Sequence, residues 1–359
     1  MQIDELLEYA HHGMPVIEPQ LAGADLSQID LTCVQFINGD LRNVDFTGTI
    51  LKKVKFLKCN LTGATFEQAN LDEAQFLDCE LPGTTLSHRK LNKVYFLSCR
   101  VVGIDLTAST MTEIFFVECD LSDSRFSETN CNLLIIIDGD ISRIDFTGAK
   151  IVRFMSTNGD LREAKLDGAQ FDTFMLMDAD LSGRDLRSIV FQRANMKGTN
   201  FSGSNLAGTD LSQCIFMEAN LAGADLTNVR APTALFASAN LVDAKLAGAE
   251  LSRCIFQEAN LARADFADAR LDMAVLAKTQ AMSARFDRAD LSYARFDYAQ
   301  LDGASLIEAR FTQTNFHAAT TDGMLMTGAS GPTIGTDAMR AVSELYDPRR
   351  VVRNETGAT

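Results

Sequence analysis

An apolar register of five residues constrains this chain more than any other feature. Residues whose numbers end in 1 or 6, from Leu21 to Phe316, form a column of sixty positions, of which fifty are Leu or Phe. The exceptions are Val101, Met111, Cys131, Ile136, Ile141, Ile151, Ser156, Met196, Ala231 and Ala281. Twenty of the chain's 23 Phe residues stand in this column. A spacing of five matches neither the 3.6-residue period of a helix nor the two-residue period of a strand. No insertion or deletion breaks it, so the 359 residues read as one repeat array rather than several globular domains.

Two positions earlier runs a second column of small or β-branched residues. From Ala234 to Ala319 it is Ala except at Cys254, Thr279 and Thr314. The residue between the columns is often Asp or Asn, as in Ala24-Asp25-Leu26, Ala69-Asn70-Leu71, Ala219-Asn220-Leu221 and Ala259-Asn260-Leu261. In these residues the chain resembles the pentapeptide-repeat family, with its A(D/N)LXX consensus, from residue 21 to about 320. The resemblance implies an all-β solenoid: a right-handed quadrilateral β-helix with one pentapeptide per side and both columns inside.

A period of 20 supports the four-sided turn independently. Phe56-Leu57-Lys58-Cys59 recurs as Phe76-Leu77-Asp78-Cys79, Phe96-Leu97-Ser98-Cys99 and Phe116-Val117-Glu118-Cys119. Sixty repeats make about fifteen coils, a rod of roughly 70 Å at ~4.8 Å per step. The expected organisation is an N-terminal cap over 1–20, the β-helix over 21–320 and a C-terminal segment over 321–359. Ile3, Leu6, Leu7 and Ala10 have helical spacing and read as a capping helix against the open first coil. Thr336 or Asp337 can cap a second helix, with Met339, Val342 and Leu345 on one side, ending by Tyr346 before Pro348. The tail beyond, with Arg349, Arg350 and Arg353, reads as mobile.

The net charge of -15 argues against direct nucleic-acid binding, which draws its affinity from Lys and Arg on phosphates. It permits a basic partner or a polyanion mimic and keeps the rod soluble. No signal-peptide pattern opens the chain and no window reaches the ~18 apolar residues of a membrane span, so a cytoplasmic protein with reduced thiols is expected. Cys59, Cys79, Cys99 and Cys119 form a ladder, and Cys214 and Cys254 align with one coil skipped. A line of thiols lacks the convergent geometry zinc requires and reads as small apolar filler. His11, His12, His88 and His317 are scattered away from any nucleophile, and the glycines mark corner turns. No enzyme, metal, cofactor or small-molecule substrate is expected.

Some positions depart from the pattern. Ser156 replaces a central Leu, while Phe154 and Phe174 occupy the small column, with Phe154 filling the vacated volume and bending the rod. Arg89 and Arg184 also fall in the small column and should snorkel outward at distorted corners. Ala231-Pro232 reads as a weak spot.

Two outward features exceed the background. An acidic edge stacks Asp120, Asp140, Asp160 and Asp180, flanked by Glu118, Asp138 and Asp178. It gives way to Asn200, Asn220, Asn240 and Asn260, and Lys52, Lys53, Lys55 and Lys58 make one end basic. On one side of the square, apolar residues flank the central residue. Tyr95, Phe115, Ile135, Met155, Met175, Ile215, Leu235, Ile255 and Val275 precede it, and Leu97, Val117, Ile137 and Met177 follow it. The favoured function is a protein-interaction scaffold using this apolar face, with a protein partner or a second copy in a homodimer, or cover from the chain's own C-terminal segment. The resemblance offers a second reading, since the family includes gyrase-protecting, DNA-mimicking proteins tied to quinolone resistance. A third follows from Gly13-Met14-Pro15-Val16 leading into Leu21-Ala22-Gly23-Ala24-Asp25-Leu26, which is similar to pentapeptide proteins associated with type VI secretion.

Overall fold

The computed structural model describes residues 3–191 and 193–344. Helix α1 (Ile3–His11) leads into a parallel β-solenoid of about 16 turns. Most sides of most turns contribute one bridged residue, paired with the residue 20 positions on, from Gln20↔Asp40 to Arg310↔Ser330. One side is continuous enough to form strands: β1 (Val16–Ile17), β2 (Gln35–Ile37), β3 (Lys55–Leu57), β4 (Gln75–Leu77), β5 (Lys90–Leu91) and β6 (Val94–Leu97). They are followed by β7 (Thr110–Val117), β8 (Asn130–Ile137), β9 (Lys150–Thr157) and β10 (Gln170–Met177). All pair in parallel, in the order β1-β2-β3-β4-β6-β7-β8-β9-β10, with β5 beside β7.

Both sequence columns point inward, as the five-residue register requires. Phe36, Phe56, Phe76, Phe96 and Phe116 are buried, and successive rings stack at centroid distances of 5.2, 5.1, 4.8 and 4.7 Å. At a typical corner the Leu21 carbonyl accepts from the Ala24 N–H across a turn whose third residue, Gly23, has φ 70°. That is the left-handed position of a type II turn, which glycine occupies without strain. Pro232 takes the second position of such a turn, followed by Thr233 at φ 61°. The ladder passes through it intact, with Ala231 N–H donating to Glu250 and Gln213 N–H to Pro232. The expected weak spot is therefore a well-placed proline, because φ near −65° is what that position demands.

The ladder also outruns Phe316, adding Ser305↔Leu325, Arg310↔Ser330 and the pairing of β11 (Thr314–Asn315) with β12 (Thr333–Ile334). Ser156 and Phe154 keep register with Leu176 and Phe174, so the substituted column repacks without a slip. The Phe154 ring is buried and lies 5.3 Å from Phe146 and 5.4 Å from Phe171. The Ser156 hydroxyl is left buried without a hydrogen bond.

At the N-terminal end Leu6 of α1 is fully buried against the first coil. At the other end α2 (Ala338–Glu344) is tied to the strand-bearing side by a polar cluster. Arg340 Nη1 and Arg295 Nε both reach the buried Asp297 carboxylate at 3.1 Å, and His317 Nε2 lies 3.1 Å from Glu344. The expected helix end at Tyr346 and the tail from Arg349 lie outside the described residues.

Candidate functional site

The apolar residues singled out on the strand-bearing side are brought together by its register. Tyr95, Phe115, Ile135, Met155 and Met175 pair in succession along β6–β10, and the Tyr95 and Phe115 rings stack at 4.8 Å. Leu97, Val117 and Ile137 pair on the other flank, with Met177 beyond Thr157. Leu97 is 36% exposed, while the rest of both rows are half-buried, because each side chain leans on the one above. The strip is not continuous. Asn195 stands between Met175 and Ile215, and Lys197 pairs with Glu218, dividing it into a patch on β6–β10 and a second through Ile215, Leu235, Ile255 and Val275.

The first patch has a feature that residue spacing did not reveal. β7–β10 are eight residues long and run straight through a corner at Glu113, Leu133, Arg153 and Thr173, where other corners turn through a left-handed residue. Runs such as Ile114-Phe115-Phe116-Val117 and Leu133-Leu134-Ile135-Ile136-Ile137 carried the signal, since β-branched and aromatic residues favour extended backbone. The result is a broad sheet whose far half adds the 42% exposed Val152 but otherwise carries Thr, Asn, Lys, Gln and Asp. Apolar and polar halves thus share one surface. Elsewhere the sides carry ion pairs between successive coils, such as Arg143–Asp123, Arg263–Asp243 and Arg288–Asp268.

The acidic edge has a local structural task. Asp120, Asp140, Asp160 and Asp180 each accept the N–H of the residue two further on, at 3.1, 2.9, 3.0 and 2.8 Å. These side-chain turns cap the corner. Asn200, Asn220, Asn240 and Asn260 do the same, which is why the column changes from Asp to Asn without a change of shape. The expected unbroken stack is also interrupted: Asp120↔Asp140 and Asp160↔Asp180 are bridged, but Asp140 and Asp160 are not. A cavity of about 280 Å³ lined by Ser142, Arg143, Asp160, Arg162 and Glu163 opens there. Arg162 binds both oxygens of Asp160 and holds its carboxyl below the usual range. Asp138 accepts from Asn158 at 2.6 Å and Glu118 from Ser98 at 3.2 Å, while Asp178 is exposed. Changing all four Asp to Asn should therefore leave stability within about 1 kcal/mol of the parent. Changing them to Ala should cost about 0.5–1.5 kcal/mol per corner, read by urea unfolding. Equal losses in both variants would show that the carboxylates do not act as corner caps.

Family comparison agrees with this geometry. A pentapeptide repeat region is matched over residues 29–106 and 49–126, and pentapeptide repeats of eight copies over 175–213, 194–230, 239–276 and 284–320. The chain belongs to the pentapeptide-repeat family. Among solved structures it is similar to HetL, a pentapeptide repeat protein involved in heterocyst differentiation regulation in the cyanobacterium Nostoc sp. strain PCC 7120. The identity is 21% over 92% of this chain and 94% of HetL, with a TM-score of 0.19. QnrB1, a plasmid-mediated fluoroquinolone resistance protein, is 21% identical over 58% of this chain and 91% of its own, with a TM-score of 0.26. A pentapeptide repeat protein of the Arabidopsis thaliana thylakoid lumen is 28% identical over 31% of this chain and 67% of its own, with a TM-score of 0.18. No curated protein sequence matches the chain.

In this pentapeptide-repeat rod the thiol ladder performs the same task as its hydroxyl neighbours. Cys79, Cys99 and Cys119 donate to the carbonyls of Phe56, Phe76 and Phe96 at 3.4, 3.3 and 3.4 Å. Thr49 and Ser109 make the equivalent bonds to Leu26 and Leu86 at 2.6 and 2.7 Å. Contact with neighbouring thiols pushes Cys79 and Cys119 up and Cys59 and Cys99 down along the ladder, and chiefly burial pushes Cys131, Cys214 and Cys254 up to about 12. A thiol reacts as its thiolate. Burial shields the other seven from a reagent, so Cys33, the one exposed cysteine, should react with a thiol reagent at pH 8 and the rest only after denaturation. Fast native labelling of Cys79 or Cys99 would contradict the filler role. Among the described residues no helix is long and apolar enough to cross a membrane.

Proposed function

We propose that the chain is a non-catalytic protein-interaction scaffold whose working surface is the apolar half of the broad sheet on β6–β10. The observation that carries this reading is the contrast between the sides. Ion pairs lace the other sides between coils, whereas Tyr95, Phe115, Ile135, Met155 and Met175 form a partly exposed apolar row about 19 Å long at ~4.8 Å per step. Apolar rows flanking a flat sheet are more than a soluble monomer usually leaves open.

A second copy is the proposed cover. A face of uniform apolar character can pack on itself about a two-fold axis, and the stepped register offers matching ridges to an identical partner. Cover by the described C-terminal segment is not favoured, because α2 is anchored at Asp297 and His317, about six and seven coils beyond Met177 on the same side. Light scattering on the full chain should give twice its 39.3 kDa. A monomer that binds no apolar dye would defeat the proposal.

A further inference from the structure

Among the interruptions of the inter-coil ladder, two span the same pair of adjacent sides, five coils apart. Between residues 63–71 and 82–90 the regular bonds are missing: Gly63, Phe66, Gln68 and Leu71 N–H do not reach Pro82, Thr85, Ser87 and Lys90. Thr85 and Lys90 N–H likewise do not reach Ala64 and Ala69. The bridges Asp45↔Thr65 and Thr85↔Asp105 are formed on either side of the gap, but Thr65 and Thr85 are not bridged to each other. The same bonds are missing between 163–171 and 182–190, five coils further along the same two sides.

Each gap contains an arginine in the small inward column. Arg89 lies between Ala69 and Ser109 in its stack, and Arg184 between Ala164 and Ser204. A guanidinium in that interior slot would be desolvated without a counter-charge, so the segment moves outward until the charge reaches solvent. Both arginines are half-buried, and Ala69 is partly uncovered although Thr49 and Ser109 in its stack are buried. The gaps differ in what their arginines do. Arg184 Nη1 donates at 2.8 Å to the Arg162 carbonyl, which receives no ladder bond from the Arg143 N–H. Arg89 has no ion pair and no side-chain hydrogen bond among the described residues, and it lines a cavity of about 570 Å³ between the parted segments. That volume lies within the range of ligand pockets.

We propose that this seam receives an extended peptide of about five residues carrying an acidic side chain. The peptide backbone completes the interrupted ladder, and its carboxylate pairs with Arg89. Unpaired N–H and C=O groups facing each other across a gap are the complement of a strand, as at any open sheet edge. The cavity sets the length, because its wall on the first coil is the five residues Gly63, Ala64, Thr65, Phe66 and Glu67. Thr65, Thr84 and Thr85 add hydroxyls to the walls, while Glu67 on the opposite coil sets the end at which an acidic residue is disfavoured.

The test uses the full chain and a pooled library of capped pentapeptides with Asp or Glu fixed at one position and the others varied. Hydrogen exchange on the free protein should show Phe66, Gln68 and Thr85 amides exchanging at least tenfold faster than Phe46 and Asp105, whose ladder bonds are made. A retained peptide should slow those three amides at least tenfold. Its affinity should fall at least tenfold on backbone N-methylation and in Arg89→Gln, and be largely kept in Arg89→Lys. Equal protection of all five amides in the free protein would show the seam closed and overturn the proposal. It would equally be overturned by a library from which nothing is retained, or by binding that N-methylation does not change.

Discussion

Phe96→Ala is expected to cost about 3–5 kcal/mol, enough to unfold the coils around it under conditions that leave the distal rod intact. Phe96 is the fourth ring of an unbroken stack, 4.8 Å from Phe76 and 4.7 Å from Phe116, and is buried. The cavity would close poorly, because backbone ladder bonds above and below fix the coil spacing. Each coil touches only its neighbours, so the damage should stay local and split unfolding into two phases. Urea unfolding with hydrogen exchange would show lost protection near Phe76 and Phe116 and unchanged protection near Phe236 and Phe256, which stack at 4.9 Å in the far half. Phe96→Leu, which keeps most of the volume, should cost about 1 kcal/mol. A loss below about 1 kcal/mol for the alanine variant would show that the stack is not what holds the coils together.

Phe115→Asp combined with Ile135→Asp should convert the proposed dimer to a monomer. The two side chains are paired neighbours in the middle of the apolar row on β6–β10. In a two-fold interface each substitution occurs twice, so four carboxylates would be buried close together without counter-charges. One unpaired buried charge costs several kcal/mol, and a typical dimer has no such reserve. Because both positions are half-exposed in the single chain, the fold itself should be retained. Light scattering across a dilution series would read the change, with circular dichroism as the folding control. A dimer that survives both substitutions would place the interface elsewhere, with α2 as the next region to test.

Much of this fold could be read from residue order, and particular residues show why. The column from Leu21 to Phe316 repeats without a slip, and a coil that buries it together with the small column two residues earlier accommodates both. Arg89 and Arg184 stood out because charge is rare in an inward slot. The apolar rows were legible for the same reason, since their period of 20 identifies which residues stack. The straight corners at Glu113, Leu133, Arg153 and Thr173 were not, because backbone conformation there depends on strands in adjacent coils as well as on local propensity.

Sequence by itself determined the architecture: four sides, inward Leu, Phe and Ala, and a rod built by stacking. The physical reason is that each burial decision repeats locally and requires only the residue 20 positions away. Tertiary structure decided what the unusual residues do. Asp120 and its successors are corner caps as well as charges, Pro232 is a fitted turn, and the apolar strip is cut at Asn195. Arg184 finds the Arg162 carbonyl, while Arg89 stands beside an open seam. Those outcomes depend on which backbone groups neighbouring coils leave unpaired, and that is a property of distances between coils rather than of residue order.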